Sequence, residues 1–105
     1  MIDKQMKVLY EQNKKLNPND IDGVLAMFEK EKTVLCANLD DTIAYLRKAT
    51  PDEPYYVCEV WDDISEYWKS ERLIEVMQEC VDRCEGDIME TLEISLFYAK
   101  KAMKQ

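Results

Sequence analysis

Between Asp52 and Lys69 the chain reads DEPYYVCEVWDDISEYWK, and one spacing inside it limits the fold more than any other feature. Val57, Val60, Trp61, Ile64 and Trp68 recur at i, i+3, i+4, i+7 and i+11. At about 100° per residue these positions converge on one stripe of an amphipathic helix. Asp52 is suited to cap that helix, and Pro54 falls in its first turn, where no backbone N–H is missed. The opposite side gathers Glu59, Asp62 and Glu66, with Asp63 beside them. Tyr55 caps this acidic row, and Tyr56 and Tyr67 run along its border. The spacing therefore predicts one continuous helix with a core-facing side, including both tryptophans, and a carboxylate–tyrosine side.

The same period recurs along the rest of the chain. Residues 2–16 form a first helix with Ile2, Met6 and Leu9 facing inward, and Tyr10 and Leu16 as further candidates for that face. Asn17 reads as the next N-cap, with Pro18 at N1 and Asp20 at N3. That second helix runs to about Lys32 and buries Ile21, Val24, Leu25 and Phe28. Residues 33–38 read equally as a turn of helix or a connector. Leu39, Ile43 and Leu46 mark a third helix, with Asp40 or Asp41 near its positive end, stopped by Thr50-Pro51. After the central stretch, Ser70 reads as an N-cap, and Leu73, Val76, Met77, Cys80 and Cys84 as an inward stripe. Glu71, Glu75, Glu79 and Asp82 are its outer face. Gly86 suits a left-handed C′ position, and Asp87 with Glu90 a capping box for the last helix, which runs to about Met103. There Ile88, Leu92, Ser95, Ala99 and Met103 share a face, while Ile94, Phe97 and Tyr98 lie off it. So wide an apolar surface means two-sided packing or an uncovered patch. Lys100, Lys101 and Lys104 suit the helix's negative end.

Two glycines and three prolines are too few for the frequent turns of an all-β domain. With 47% apolar and 34% charged residues, the 105-residue chain is globular rather than disordered. The expected fold is all-α: one compact domain over residues 1–105, with five or six mostly antiparallel helices, compatible with solenoid-like stacking of helix pairs. No apolar run is long enough to span a membrane, and the N-terminus has no apolar core of a secretory signal. A cytoplasmic location is expected. The net charge of −8 is unevenly spread: residues 52–93 hold 14 acids against Lys69, Arg72 and Arg83. That imbalance argues against nucleic acid as a ligand and favours a basic protein partner.

Catalytic chemistry has little to stand on. The chain has no histidine, which removes the commonest general base and metal-binding imidazoles. Cys36, Cys58, Cys80 and Cys84 lack the paired spacing of a zinc site, and Cys80 and Cys84, one helical turn apart, are poorly placed for a disulfide. Free buried thiols are expected. NPNDIDGVLAMFE aligns with a calcium loop only if Pro18 takes the first ligand position, which it cannot fill. The acids of the central helix face away from its apolar stripe, unlike ligands inside a bundle. No metal, cofactor or enzymatic activity is expected.

The segment YYVCEVWDDISEYWKSERLIEVMQEC, followed by GDIMETLEISLFYAKKAM, resembles small acidic helical immunity proteins encoded beside bacterial polymorphic toxins, including those of contact-dependent growth-inhibition systems. The similarity covers roughly residues 39–103 and leaves the role of the first 38 residues open. The resemblance implies a cytoplasmic protein that binds and blocks a cognate toxin, often a nuclease. The residues expected to carry binding are Tyr55, Tyr56, Glu59, Asp62, Asp63, Glu66, Tyr67, Glu71, Glu75, Glu79 and Asp82. The competing expectation is an adaptor, secretion chaperone or phage-encoded inhibitor that binds through an exposed apolar groove using Phe97 and Tyr98.

Overall fold

In a computed structural model describing residues 2–50 and 52–104, the periodic stretches become helices. They are α1 (Ile2–Lys15), α2 (Ile21–Leu35), α3 (Leu39–Lys48), α4 (Asp52–Val57), α5 (Trp61–Trp68), α6 (Glu71–Asp82) and α7 (Gly86–Met103). A 3-10 turn, Cys58–Val60, joins α4 to α5, and no strand occurs among the described residues. The architecture is all-α, with six helices if the interrupted central one is counted once. The radius of gyration, 12.7 Å, is what a compact chain of this length should have. With extents of 33 × 31 × 26 Å the helices close on a common core instead of extending along one axis. α5 packs chiefly on α7, α6 lies across α3 and α7, and α1 lies along α2. Trp61, Leu35, Leu46, Ile64, Leu73 and Leu92 are fully buried where these helices meet.

The central stretch departs from the continuous helix its spacing predicts. Val57, Cys58, Val60 and Trp61 are all buried. On an α-helix those four side chains would span an arc of about 160°; a 3-10 turn eclipses i with i+3 and narrows it to about 120°. Burying Cys58 along with its neighbours therefore favours the tighter winding. Asp52 is the first residue of α4 rather than a cap before it. Pro51, half of the expected Thr50-Pro51 stop, lies outside the described residues.

α2 also differs. Asn17 caps a separate turn, accepting from the Asn19 N–H at 2.9 Å, while Asp20 is the N-cap, accepting from the Gly23 N–H at 3.1 Å. The helix runs on to Leu35, and its buried residues are Met27, Glu31 and Leu35. Val24 and Phe28 are half-buried, whereas Ile21 and Leu25 are exposed. The extra turn at the C-terminus brings Leu35 into the core and rotates the buried face toward it. An acid at the centre of that face hid it from a reading based on apolar spacing.

At the other ends the Ser70 cap forms as expected, and α3 has a cap that the sequence leaves open. Asn38 caps α3 by accepting from the Asp41 N–H, and Ser70 caps α6 by accepting from the Leu73 N–H. On α7 the buried residues are Leu92, Leu96, Ala99 and Ala102, so Ser95 and Met103 belong to the margin of that face. The start of α7 has Glu85 at the N-cap position without a side-chain cap, so the Asp87–Glu90 box does not set it. Gly86 has φ +63°, as expected, but it opens α7 instead of closing α6. A Cβ there would touch nothing within 4 Å, so Gly86→Ala isolates the backbone cost. It should lower stability by about 1–2 kcal/mol in urea unfolding.

Candidate protein-binding surface

The winding of the central stretch sets where its polar side chains go. On one unbroken helix Tyr55, Glu59, Asp62 and Glu66 would lie in a single row. The 3-10 turn adds about 20° per residue over three residues, turning the α5 acids by roughly 60° relative to the α4 tyrosines. The expected single ridge is thereby divided among three grooves.

The first groove lies between α1, α2, α4 and α7. Tyr55, Tyr56 and Glu59 line it, opposite Leu16, Val24 and Phe28. Tyr56 stacks edge-on with both Tyr10 and Tyr55, at 5.2 and 5.6 Å between ring centroids. The Lys14 ammonium sits 4.9 Å over the Tyr10 ring, close to the charge geometry of a cation–π contact. The second groove, about 330 Å³, separates the start of α5 from α7. Glu59 and Asp62 stand on one side and Ile94 and Tyr98 on the other, with Cys58, Thr91 and Ser95 between them. The third, between α5 and α2, holds Asp63, Glu66 and Tyr67 against Lys32, Thr33 and Cys36. Tyr67 packs edge-on against Trp68, whose indole N–H donates to the Leu35 carbonyl at 3.1 Å.

The acids are not equivalent. Asp63 lies 3.8 Å from Lys32; partial burial and the neighbouring Asp62 raise its pKa, against the pull of that lysine. Glu79 accepts both Arg47 guanidinium hydrogen bonds at 3.1 Å, which hold its carboxyl below the usual range. Arg72 binds Asp40 across the same α3–α6 boundary at 3.0 Å. Asp82 accepts from the Gln78 side chain. The α6 acids that make contacts thus make them within α6 or toward α3, while the α5 acids border α7 and α2. Glu59, Asp62, Glu66, Glu71 and Glu75 are exposed, and no ion pair among the described residues engages them.

Two features lie outside the acidic–tyrosine set. Ile94, Phe97 and Tyr98 are 60%, 54% and 54% exposed, so the broad apolar surface of α7 is in part an uncovered patch. Its excess width was visible in sequence, but not its position beside Glu59 and Asp62. The other feature is Glu31, 1% exposed. The Asn13 amide donates to Glu31 Oε1 at 3.2 Å and to the Tyr56 carbonyl at 3.1 Å, tying α1 to α2 and α4. Glu31 Oε2 has no hydrogen-bond partner among the described residues, and burial pushes the carboxyl up to about 8 despite the Asn13 hydrogen bond.

No disulfide joins the four cysteines. Burial pushes Cys58 and Cys80 up to about 11, which leaves them protonated and unreactive at neutral pH. Among the described residues no cluster of three or more Cys, Asp or Glu could hold a metal ion, and no helix is long and apolar enough to cross a membrane. No family model, curated protein or solved structure matches the chain.

Proposed function

We propose that the chain is a non-enzymatic immunity protein of the cytoplasm that neutralises a basic toxin domain, a nuclease being the favoured class. The observation that carries this reading is the exposed pair Glu59 and Asp62, which no ion pair among the described residues engages, on a surface that also displays Tyr55 and Tyr67. Exposed tyrosines offer contact area at low entropic cost, and carboxylates of one sign steer a basic partner and pair with its Lys or Arg. A chain carrying −8 overall adds a long-range field of the same sign.

The test is co-expression with the toxin domain encoded next to the gene. The wild type should restore growth, and a variant with Glu59, Asp62, Asp63 and Glu66 all replaced by their amides should not. In vitro, Asp62→Lys should slow association by about tenfold or more at low salt and flatten its salt dependence. Full neutralisation by the amide variant would show that the surface is wrong. The exposed Ile94, Phe97 and Tyr98 patch favours a second reading, an adaptor, secretion chaperone or phage-encoded inhibitor. Its binding would be insensitive to salt and lost in Phe97→Ala.

A further inference from the structure

The groove between α5 and α7 has walls of unlike chemistry. Exposed carboxylates of Glu59 and Asp62 form one wall, and the exposed side chains of Ile94 and Tyr98 form the other. On α5 and α6 the chain supplies cations to Asp63, from Lys32, and to Glu79, from Arg47, while Glu66, Glu71 and Glu75, which no ion pair among the described residues engages, do not line this groove. No ion pair among the described residues reaches Glu59 or Asp62. Lys101, on the same helix as Tyr98, lies 4.9 Å over the Phe97 ring. The groove is therefore acidic on one side, apolar and aromatic on the other, and short of a positive charge.

A lysine would satisfy the charge but not the shape. Its ammonium is a compact, strongly hydrated point, whereas a guanidinium is planar, more weakly hydrated, forked toward carboxylates and able to stack on an aromatic face. The methylene stem of such a side chain covers apolar surface while its head stays polar. We propose that this groove receives an arginine side chain from a basic partner polypeptide, with the guanidinium between Glu59 and Asp62 and the stem against Ile94 and Tyr98. The assignment rests on the protein-binding reading above and deepens it by naming the side chain and by adding α7 to the contact surface.

N-acetylarginine methylamide is the probe, titrated into the 15N-labelled full chain and followed by amide chemical shifts. Saturable shifts are expected at Glu59, Asp62, Thr91, Ile94 and Tyr98. The neutral citrulline analogue should bind about tenfold more weakly or worse, as should the arginine probe to a Glu59→Gln/Asp62→Asn double variant. Asp22→Asn, exposed on α2 outside the groove, should leave binding unchanged, and Tyr98→Ala should weaken it. Both carboxylates are exposed, so the double variant is expected to fold, with unchanged helical circular dichroism as the control. Absence of saturation, equal binding of citrulline, or shifts centred on Asp63 and Tyr67 would each overturn the assignment. The two readings fail separately. If the probe binds here but the wild-type chain does not neutralise the toxin, the groove stands and the immunity reading falls. If neutralisation is lost yet the probe does not bind, the surface stands and the arginine site falls.

Discussion

Glu31→Gln should leave the protein more stable than the wild type above about pH 8 and remove most of its pH dependence below that point. The ordinary carboxyl value of 4.5 applies to the unfolded chain, while the folded chain holds its proton up to about 8. Between those values the native state binds more protons than the unfolded state, so stability falls as pH rises. It is complete below the unfolded value and fully reduced above the folded one. Each pH unit in the window costs about 1.4 kcal/mol, giving several kcal/mol in all. That is a large share of the roughly 5–15 kcal/mol that holds such a domain together. Glutamine keeps an oxygen for the Asn13 amide and never ionises. The chain has no histidine, so no side chain with an ordinary pKa near neutrality obscures the signal. Urea unfolding of both proteins at about pH 5 and about pH 9 decides it. Parallel pH profiles for the two would show that Glu31 ionises freely in the folded state.

Trp61→Ala should cost about 3–5 kcal/mol and bring the protein close to unfolding at room temperature. Trp61 is completely buried at the first position of α5, the helix most extensively packed on α7. α5 has only eight residues and follows a 3-10 turn, so its helicity depends on tertiary packing. The indole N–H of Trp61 has no hydrogen-bond partner among the described residues, so the loss should come from packing rather than from a hydrogen bond. Trp68 is the internal comparison: half-buried, with its N–H bonded to the Leu35 carbonyl. Trp68→Ala should cost less. If chemical unfolding ranks the two the other way, α5 is not anchored through Trp61.

What could be read from sequence follows from which interactions are local. α3 and α6 were legible because apolar spacing marked both; the Ser70 cap read for α6 forms, whereas the Asn38 cap of α3 lies in a stretch whose state the sequence leaves open. The face of α2 was not legible. An acid in the centre of a buried stripe counts as polar in any periodic reading, and its amide partner Asn13 is 18 residues away. The break at Cys58–Val60 carries no glycine or proline to announce it. It arises from the burial of Val57, Cys58, Val60 and Trp61 together, a tertiary demand that no single residue states. The candidate surface was half legible for the same reason. Most of its acids and tyrosines are exposed, Tyr56 and Glu79 being half-buried, but the changed winding divides them and brings Ile94 and Tyr98 beside Glu59 and Asp62.

Cys58, Cys80 and Cys84 are buried at the α4–α5 junction, inside α6 and just after α6, while Cys36 is half-exposed at the end of α2. An alkylating reagent added to the native protein therefore meets one accessible sulfur, and the other three become labelled only when those helices part. The slow component of labelling is a clock for opening of the interior, built into the chain without an added dye.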